Sequence, residues 1–97
     1  MRYEIVLAPQ AVEDFHSLSA RFRSTVRSGM DIHLRHQPTR TSRSRIKRLR
    51  GLAKPQYRLR LDDVRVFFDV EGHTVAVLAI LPKAQAAAWL ERYGVRS

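Results

Sequence analysis

No cysteine occurs in the chain, which removes disulfide staples, thiolate nucleophiles and cysteine-based zinc sites together and fits a reducing compartment. No apolar run approaches the ~20 residues of a membrane span, and Met1 to Pro9 is too short, with Glu4 too early, for a secretory signal. A cytoplasmic location with no membrane partner is expected. Glycine is nowhere clustered, so there is no phosphate loop, and no internal repeat is present. His16, His33, His36 and His73 offer no third ligand at a useful spacing, so no metal site and no cofactor are expected. Acid is scarce as well. Nine Asp and Glu stand against eighteen Lys and Arg, a formal charge of +9.

What is present is an apolar fraction of 44% in 97 residues, ordinary for one small globular domain spanning 1–97. A chain this short buries only about two thirds of its unfolded surface, so its stability is expected to be marginal and a partner to matter. The charge is concentrated. From Arg40 to Arg65 there are ten basic residues against Asp62 and Asp63, and the rest of the chain is nearly balanced. That points to a surface that meets a polyanion or an acidic protein.

Tyr3–Ala8 alternates as a strand, and Pro9 ends it. Val12, Phe15 and Leu18, then Phe22, Val26, Met30 and His33, recur at three and four residues, the spacing of two helices in a hairpin with Ser19 as the second N-cap. Gln37 and Pro38 close it, and Thr39–Ser44 reads as a solvated basic loop. Strand signal returns at Arg45–Leu49, and Gly51 marks a turn. Gln56–Leu61 sets Tyr57, Leu59 and Leu61 on one face and Arg58 and Arg60 on the other. Asp62-Asp63 turns the chain into Val64–Val70, and Glu71-Gly72 turns it into Thr74–Leu81, an almost wholly apolar central strand. Lys83–Tyr93 is an alanine-rich helix that Gly94 ends. The expected fold is α+β, in the order β-α-α-β-β-β-β-α. An N-terminal strand and helical hairpin pack on a mainly antiparallel sheet, with a C-terminal helix.

Arg58 and Arg60 share a strand face, and the hairpin brings Arg65 beside Arg60. Three guanidinium groups then converge, an arrangement that costs stability unless something anionic is bound, and Arg forks suit phosphate oxygens. The alternative is a solvated face on which Asp62, Asp63 and Asp69 pair part of the charge. Arg43, Arg45, Lys47, Arg48 and Arg50 form a second basic cluster, suited to a nucleic-acid backbone and equally to solubility. Glu13 and Asp14 are adjacent on a helix and diverge, which makes them a poor acid-base pair. Trp89 and Tyr93 sit one turn apart on the last helix, as core or interface residues.

These stretches carry a resemblance. Arg48-Leu49-Arg50-Gly51, Tyr57–Leu61, Val64–Phe68 and Val75–Ile80 with Pro82-Lys83 resemble the RelE/ParE superfamily of toxins from bacterial toxin-antitoxin modules, most specifically in Y-R-L-R-x-x-x-x-R-V-F-F-x-V. The resemblance covers nearly the whole chain. It implies a ribosome-dependent mRNA endonuclease that blocks translation, working without metal by attack of a 2′-OH on the adjacent phosphate. Arg58, Arg60, Arg65 and Lys83 fall where such toxins carry functional basic residues, and Arg43, Arg45, Lys47, Arg48 and Arg50 are the accompanying RNA-binding set. The implied partners are the ribosome and mRNA, and a cognate acidic antitoxin. The toxin is expected to be monomeric alone and hetero-oligomeric with its antitoxin. Trp89 stands at the spacing of a functional Tyr in RelE-like members. Indole is no general base, so proton transfer is left unfilled, with Lys83 as the candidate. A ParE-like inhibitor of DNA gyrase without nuclease chemistry, and a non-toxic basic RNA- or ribosome-binding module, remain the alternatives.

Overall fold

The β-branched and aromatic runs of the second half build the centre of the sheet. In the computed structural model, which describes residues 2–97, β5 (Val64–Glu71) and β6 (Thr74–Pro82) are antiparallel neighbours. Beyond β5 lie β4 (Tyr57–Leu61) and then β2 (Ile46–Arg48), and beyond β6 lies β1 (Glu4–Leu7), giving the order β1-β6-β5-β4-β2. The sheet is antiparallel except at β1, which pairs in parallel with Thr74–Val77. Helices α1 (Pro9–Ser17) and α2 (Ala20–Leu34) form the connection between β1 and the later strands, and α3 (Lys83–Tyr93) follows β6. The α+β architecture expected from the sequence is what the chain adopts.

Two cores flank the sheet. On one face Ala11, Val26, Met30 and Leu34 of the helical hairpin pack on Leu59, Val66, Phe68, Val75, Val77 and Ile80. On the other, Ala86, Trp89 and Leu90 of α3 cover Phe67, Ala79 and Leu81. The adjacent Phe67 and Phe68 thus serve opposite cores, and both are fully buried, each worth roughly 1.5–3 kcal/mol. Position 78 is where the strand changes phase. Phe67 pairs with Ala79 and Phe68 with Val77, so Leu78 is an extra residue in β6. Odd-numbered Val75 and Val77 face the hairpin before this bulge, and even-numbered Ile80 faces it afterwards.

Helix ends follow local chemistry. Ser19 caps α2, its hydroxyl accepting from Phe22 N at 3.3 Å. Pro9 opens α1, where its missing N–H costs nothing. The buried stripe of α1 is shifted from its expected phase: Val12 is 42% exposed, and Ala11 takes the inward position. The cause is where α1 lies. It covers the edge of β6 beyond the last β1 pair, and Asp14 Oδ2 accepts from Ile80 N at 3.0 Å, satisfying a strand donor that β1 is too short to reach.

Two strands were not anticipated. β3 (Leu52–Lys54) and β7 (Val95–Arg96) pair as a separate two-stranded sheet. They are three and two residues long, too short for periodicity to register. Gly51 turns the chain into β3 at φ +76°, a conformation that favours glycine. Gly94 does end α3, but at φ −64°. Its role is space: a Cβ there would lie 2.5 Å from Leu90 O and 3.2 Å from Leu52 Cδ2.

Candidate active site

The β4–β5 hairpin and the first two turns of α3 frame one cleft. Arg58 and Arg60 of β4, Arg65 and Phe67 of β5, and Lys83, Ala86, Ala87 and Leu90 of α3 line a volume of about 400 Å³. The strand period puts Arg58, Arg60, Arg65 and Phe67 on the α3 side of the sheet. Register sets Arg60 directly opposite Arg65 and Arg58 opposite Phe67. On α3 the spacing 83, 86, 87, 90 is one helical face, so the same helix that covers Phe67 also places Lys83 at the rim. The chain reverses at Asp62, whose φ of +52° is one that aspartate tolerates in a tight hairpin. Asp63 O then accepts from Lys83 N at 2.7 Å, which ties the hairpin to the start of α3.

Arg65 is the buried cation of the cleft, being only 6% exposed. Its Nη1 donates to Asp62 O at 2.7 Å and to Val64 O at 3.1 Å, backbone acceptors that fix the guanidinium without neutralising it. Burial first, then the neighbouring Arg58 and Arg60, hold Arg65 below the ordinary arginine value, with Asp63 countering from the hairpin. It nonetheless stays protonated in water, as arginine does. Arg58 carries a further unmet demand. Its Nε is buried with no hydrogen-bond partner.

Among the described residues no aspartate forms a direct ion pair with this charge, and Asp63 acts on it only through space. Among the described residues the ion pair within bonding distance is Arg35–Asp31 at 3.2 Å, on α2. Asp69 is buried and accepts from Gln56 N at 2.7 Å, while Asp62 and Asp63 are exposed on the hairpin. Arg60 and Lys83 are exposed and Arg58 half-buried, so the face is in part solvated, but the direct acid pairing that spacing alone allowed is not formed.

The second basic cluster divides. Lys47 lies opposite Arg58 in the β2–β4 register, and Lys47 and Arg50 line a groove of about 520 Å³ with Leu49, Leu52 and Leu90. Leu90 belongs to both groove and cleft. Arg48 turns elsewhere: its guanidinium lies 5.3 Å from the centre of the Tyr57 ring and donates to Leu49 O and Gln56 O at 3.0 and 2.6 Å. Arg45 donates to Arg60 O at 3.1 Å, and Arg43 is exposed in the preceding loop.

Trp89 is a packing residue here. Its ring stacks on Phe67 with centroids 5.2 Å apart and planes 19° apart, and Nε1 donates to Gln10 Oε1 at 3.3 Å. Gln10 in turn donates to Asp14, so a polar chain links α3 through α1 to Ile80 of β6, two residues past the bulge. Sequence reasoning gave Asp14 and Gln10 no role, because the contacts that use them span 66 and 79 residues.

No family model matches the sequence, and no curated protein does. Solved structures do match. A chain of the archaeal RelE-RelB complex from Pyrococcus horikoshii OT3 superposes with a TM-score of 0.70 at 25% identity, over 88% of this chain and 99% of that one. The RelBE2 toxin-antitoxin complex from Mycobacterium tuberculosis gives 0.67 at 21% identity, over 84% and 99%, and the RelB-RelE antitoxin-toxin complex from Methanococcus jannaschii gives 0.65 at 17%, over 87% and 96%. These neighbours agree with the resemblance read from the sequence, and the chain has the fold of a RelE-like toxin.

Proposed function

We propose that this chain is the toxin of a toxin-antitoxin pair and a ribosome-dependent mRNA endonuclease, with Arg58, Arg60, Arg65 and Lys83 as its cleavage residues. The observation that carries the reading is the cleft itself: four cations converge with no carboxylate among the lining groups, one of them is almost fully buried, and another leaves a buried donor without an acceptor. A phosphoryl group undergoing substitution answers each of these demands, because its equatorial oxygens gain negative charge in the transition state. In the reaction the RNA 2′-oxygen bonds to the adjacent phosphorus as the P–O5′ bond breaks. A proton leaves the 2′-OH and one is delivered to O5′, giving a 2′,3′-cyclic phosphate and a 5′-hydroxyl. Arg58, Arg60 and Arg65 stabilise the charge, Lys83 serves proton transfer at the rim, and the ribosome supplies alignment of the mRNA. Lys47 and Arg50, in the groove that shares Leu90, take neighbouring backbone phosphates. Arg45, Arg48 and Arg43 support binding from outside the cleft. An antitoxin with an acidic segment covers the same surface.

Trp89 favours a second reading. Packed on Phe67 and bonded to Gln10, it supplies no base where RelE-like members place Tyr, and this fits a ParE-like protein that inhibits gyrase by binding. The deciding experiment is mRNA cleavage by the purified protein with and without programmed ribosomes, comparing wild type with Arg65→Ala. Ribosome-dependent cuts that vanish in the variant are expected. No cuts under either condition, with growth arrest intact on induction in cells, would replace this reading with the gyrase one, and normal growth would leave only a non-toxic RNA-binding module.

A further inference from the structure

On the far side of the basic loop, between the C-terminal half of α2 and the β2 edge, lies a depression of about 280 Å³ lined by Ile32, His33, Gln37, Arg40, Ser42, Arg45 and Ile46. No carboxylate lines it. The loop that forms it is exposed from Thr39 to Arg45, as expected, yet ordered by hydrogen bonds: Arg40 N donates to Gln37 O at 3.2 Å, Ser42 N to Ile46 O at 2.9 Å, and Arg45 N to Ser42 Oγ at 3.0 Å, beside the fully buried Pro38. Both arginines are held by neutral acceptors. Arg40 Nη1 donates to Gln37 Oε1 at 3.0 Å and Arg45 Nη1 to Arg60 O at 3.1 Å, and neither forms an ion pair. Each guanidinium has five N–H donors, so most of the fork is left for an anion. Ile32, 72% exposed, stands at the wall as an apolar shelf.

We propose that this depression is a second phosphate-binding site, in which His33, Arg40 and Arg45 hold the RNA backbone outside the reaction cleft. It rests on the nucleic-acid part of the preceding reading but not on cleavage. Arg45 joins the two sites physically, since it grips the carbonyl of Arg60, whose side chain lines the cleft. RNA is favoured over an acidic peptide because the site offers two planar forks, an imidazole and small hydroxyl and amide donors beside one apolar wall, the set that takes a phosphate and its nucleoside. The charged groups around His33 are Arg40 and Arg45 here and Asp62 in the adjoining depression with Ser24, Thr25 and Ser28. Burial and then Arg45 hold His33 below its ordinary 6.5, and a bound phosphate reverses the second cause.

The test follows the ring resonances of His33 through pH in the full chain, with inorganic phosphate and separately with a single-stranded 2′-O-methyl oligoribonucleotide, which lacks the attacking hydroxyl. The expected result is an upward shift of the His33 midpoint with the oligonucleotide. Arg40→Gln, an exposed change that leaves the fold intact, should weaken oligonucleotide binding roughly threefold or more and flatten its salt slope by about 0.7. Arg58→Gln should leave the His33 shift in place. A His33 midpoint that the oligonucleotide does not move overturns the proposal, and a shift seen with inorganic phosphate but not with the oligonucleotide overturns it in favour of a site for a small free anion. Failure of ribosomal cleavage would refute only the nuclease reading, because nothing here is cut.

Discussion

Arg60 and Arg65 stand directly opposite each other across the β4–β5 pair, and neither has a carboxylate within ion-pair distance. A like-charge cross-strand pair costs on the order of 0.2–1 kcal/mol, and burying a guanidinium adds a penalty that the two backbone hydrogen bonds of Arg65 offset only in part. Arg65→Met should therefore raise stability by about 1 kcal/mol at low salt, with a smaller gain at high salt. The same change should cost ribosomal cleavage at least about a hundredfold. Urea midpoints at two ionic strengths read the first effect; a variant less stable at both would make Arg65 a structural residue.

At Gly29 α2 lies close against the sheet. A Cβ there would lie 3.0 Å from Leu61 Cγ and nearer still to both δ carbons. Leu61 is buried and has little room to yield. Gly29→Ala is expected to cost roughly 1–3 kcal/mol through overpacking, and Leu61→Val in the same chain should recover part of that loss. If the two changes simply add in a double-mutant cycle, the close approach is not what glycine serves here.

The single tryptophan gives a third prediction. Because Trp89 works by stacking on Phe67, Trp89→Phe should keep cleavage within about threefold, whereas Trp89→Ala should lose roughly 2–3 kcal/mol of stability. Cleavage abolished by Trp89→Phe while the fold persists would show that the indole takes part in the chemistry.

His33 makes stability depend on pH. Its imidazolium is disfavoured in the folded chain by burial and by Arg45, so below 6.5 the unfolded chain binds more protons than the folded one. Stability should fall as pH drops through that value and level off once the folded imidazole is also protonated. His33→Gln should lessen this dependence, and equal slopes for the two proteins would refute it.

The sequence makes the strands and the cleft legible to different depths. Arg58, Arg60 and Arg65 could be grouped because two-residue periodicity and a short hairpin are local rules, and both hold here. Lys83 joined them through the resemblance, since nothing local brings an α3 residue to β4. The sense of charge compensation was not legible: Asp69 sits in the right parity but spends its carboxylate on Gln56 N. β6 hid its pattern for a definite reason. The extra Leu78 reverses parity within a run that is apolar throughout, so no single period describes it. The shifted stripe of α1 depends likewise on where β1 stops pairing, a tertiary fact.

No residue of α3 is fully buried, yet this helix sets one wall of the cleft. It is fastened at its ends: Lys83 N to Asp63 O at the start, and, past Gly94, through β7 paired with β3 and Ser97 N on Gly51 O at the finish. The width of the cleft therefore depends on how α3 is seated along its whole length, on these two ties as well as on the Trp89–Phe67 stack between them. A substitution at Leu52, Gly94 or Val95 is expected to reach Arg65 through the seat of the helix, with every cationic side chain unchanged.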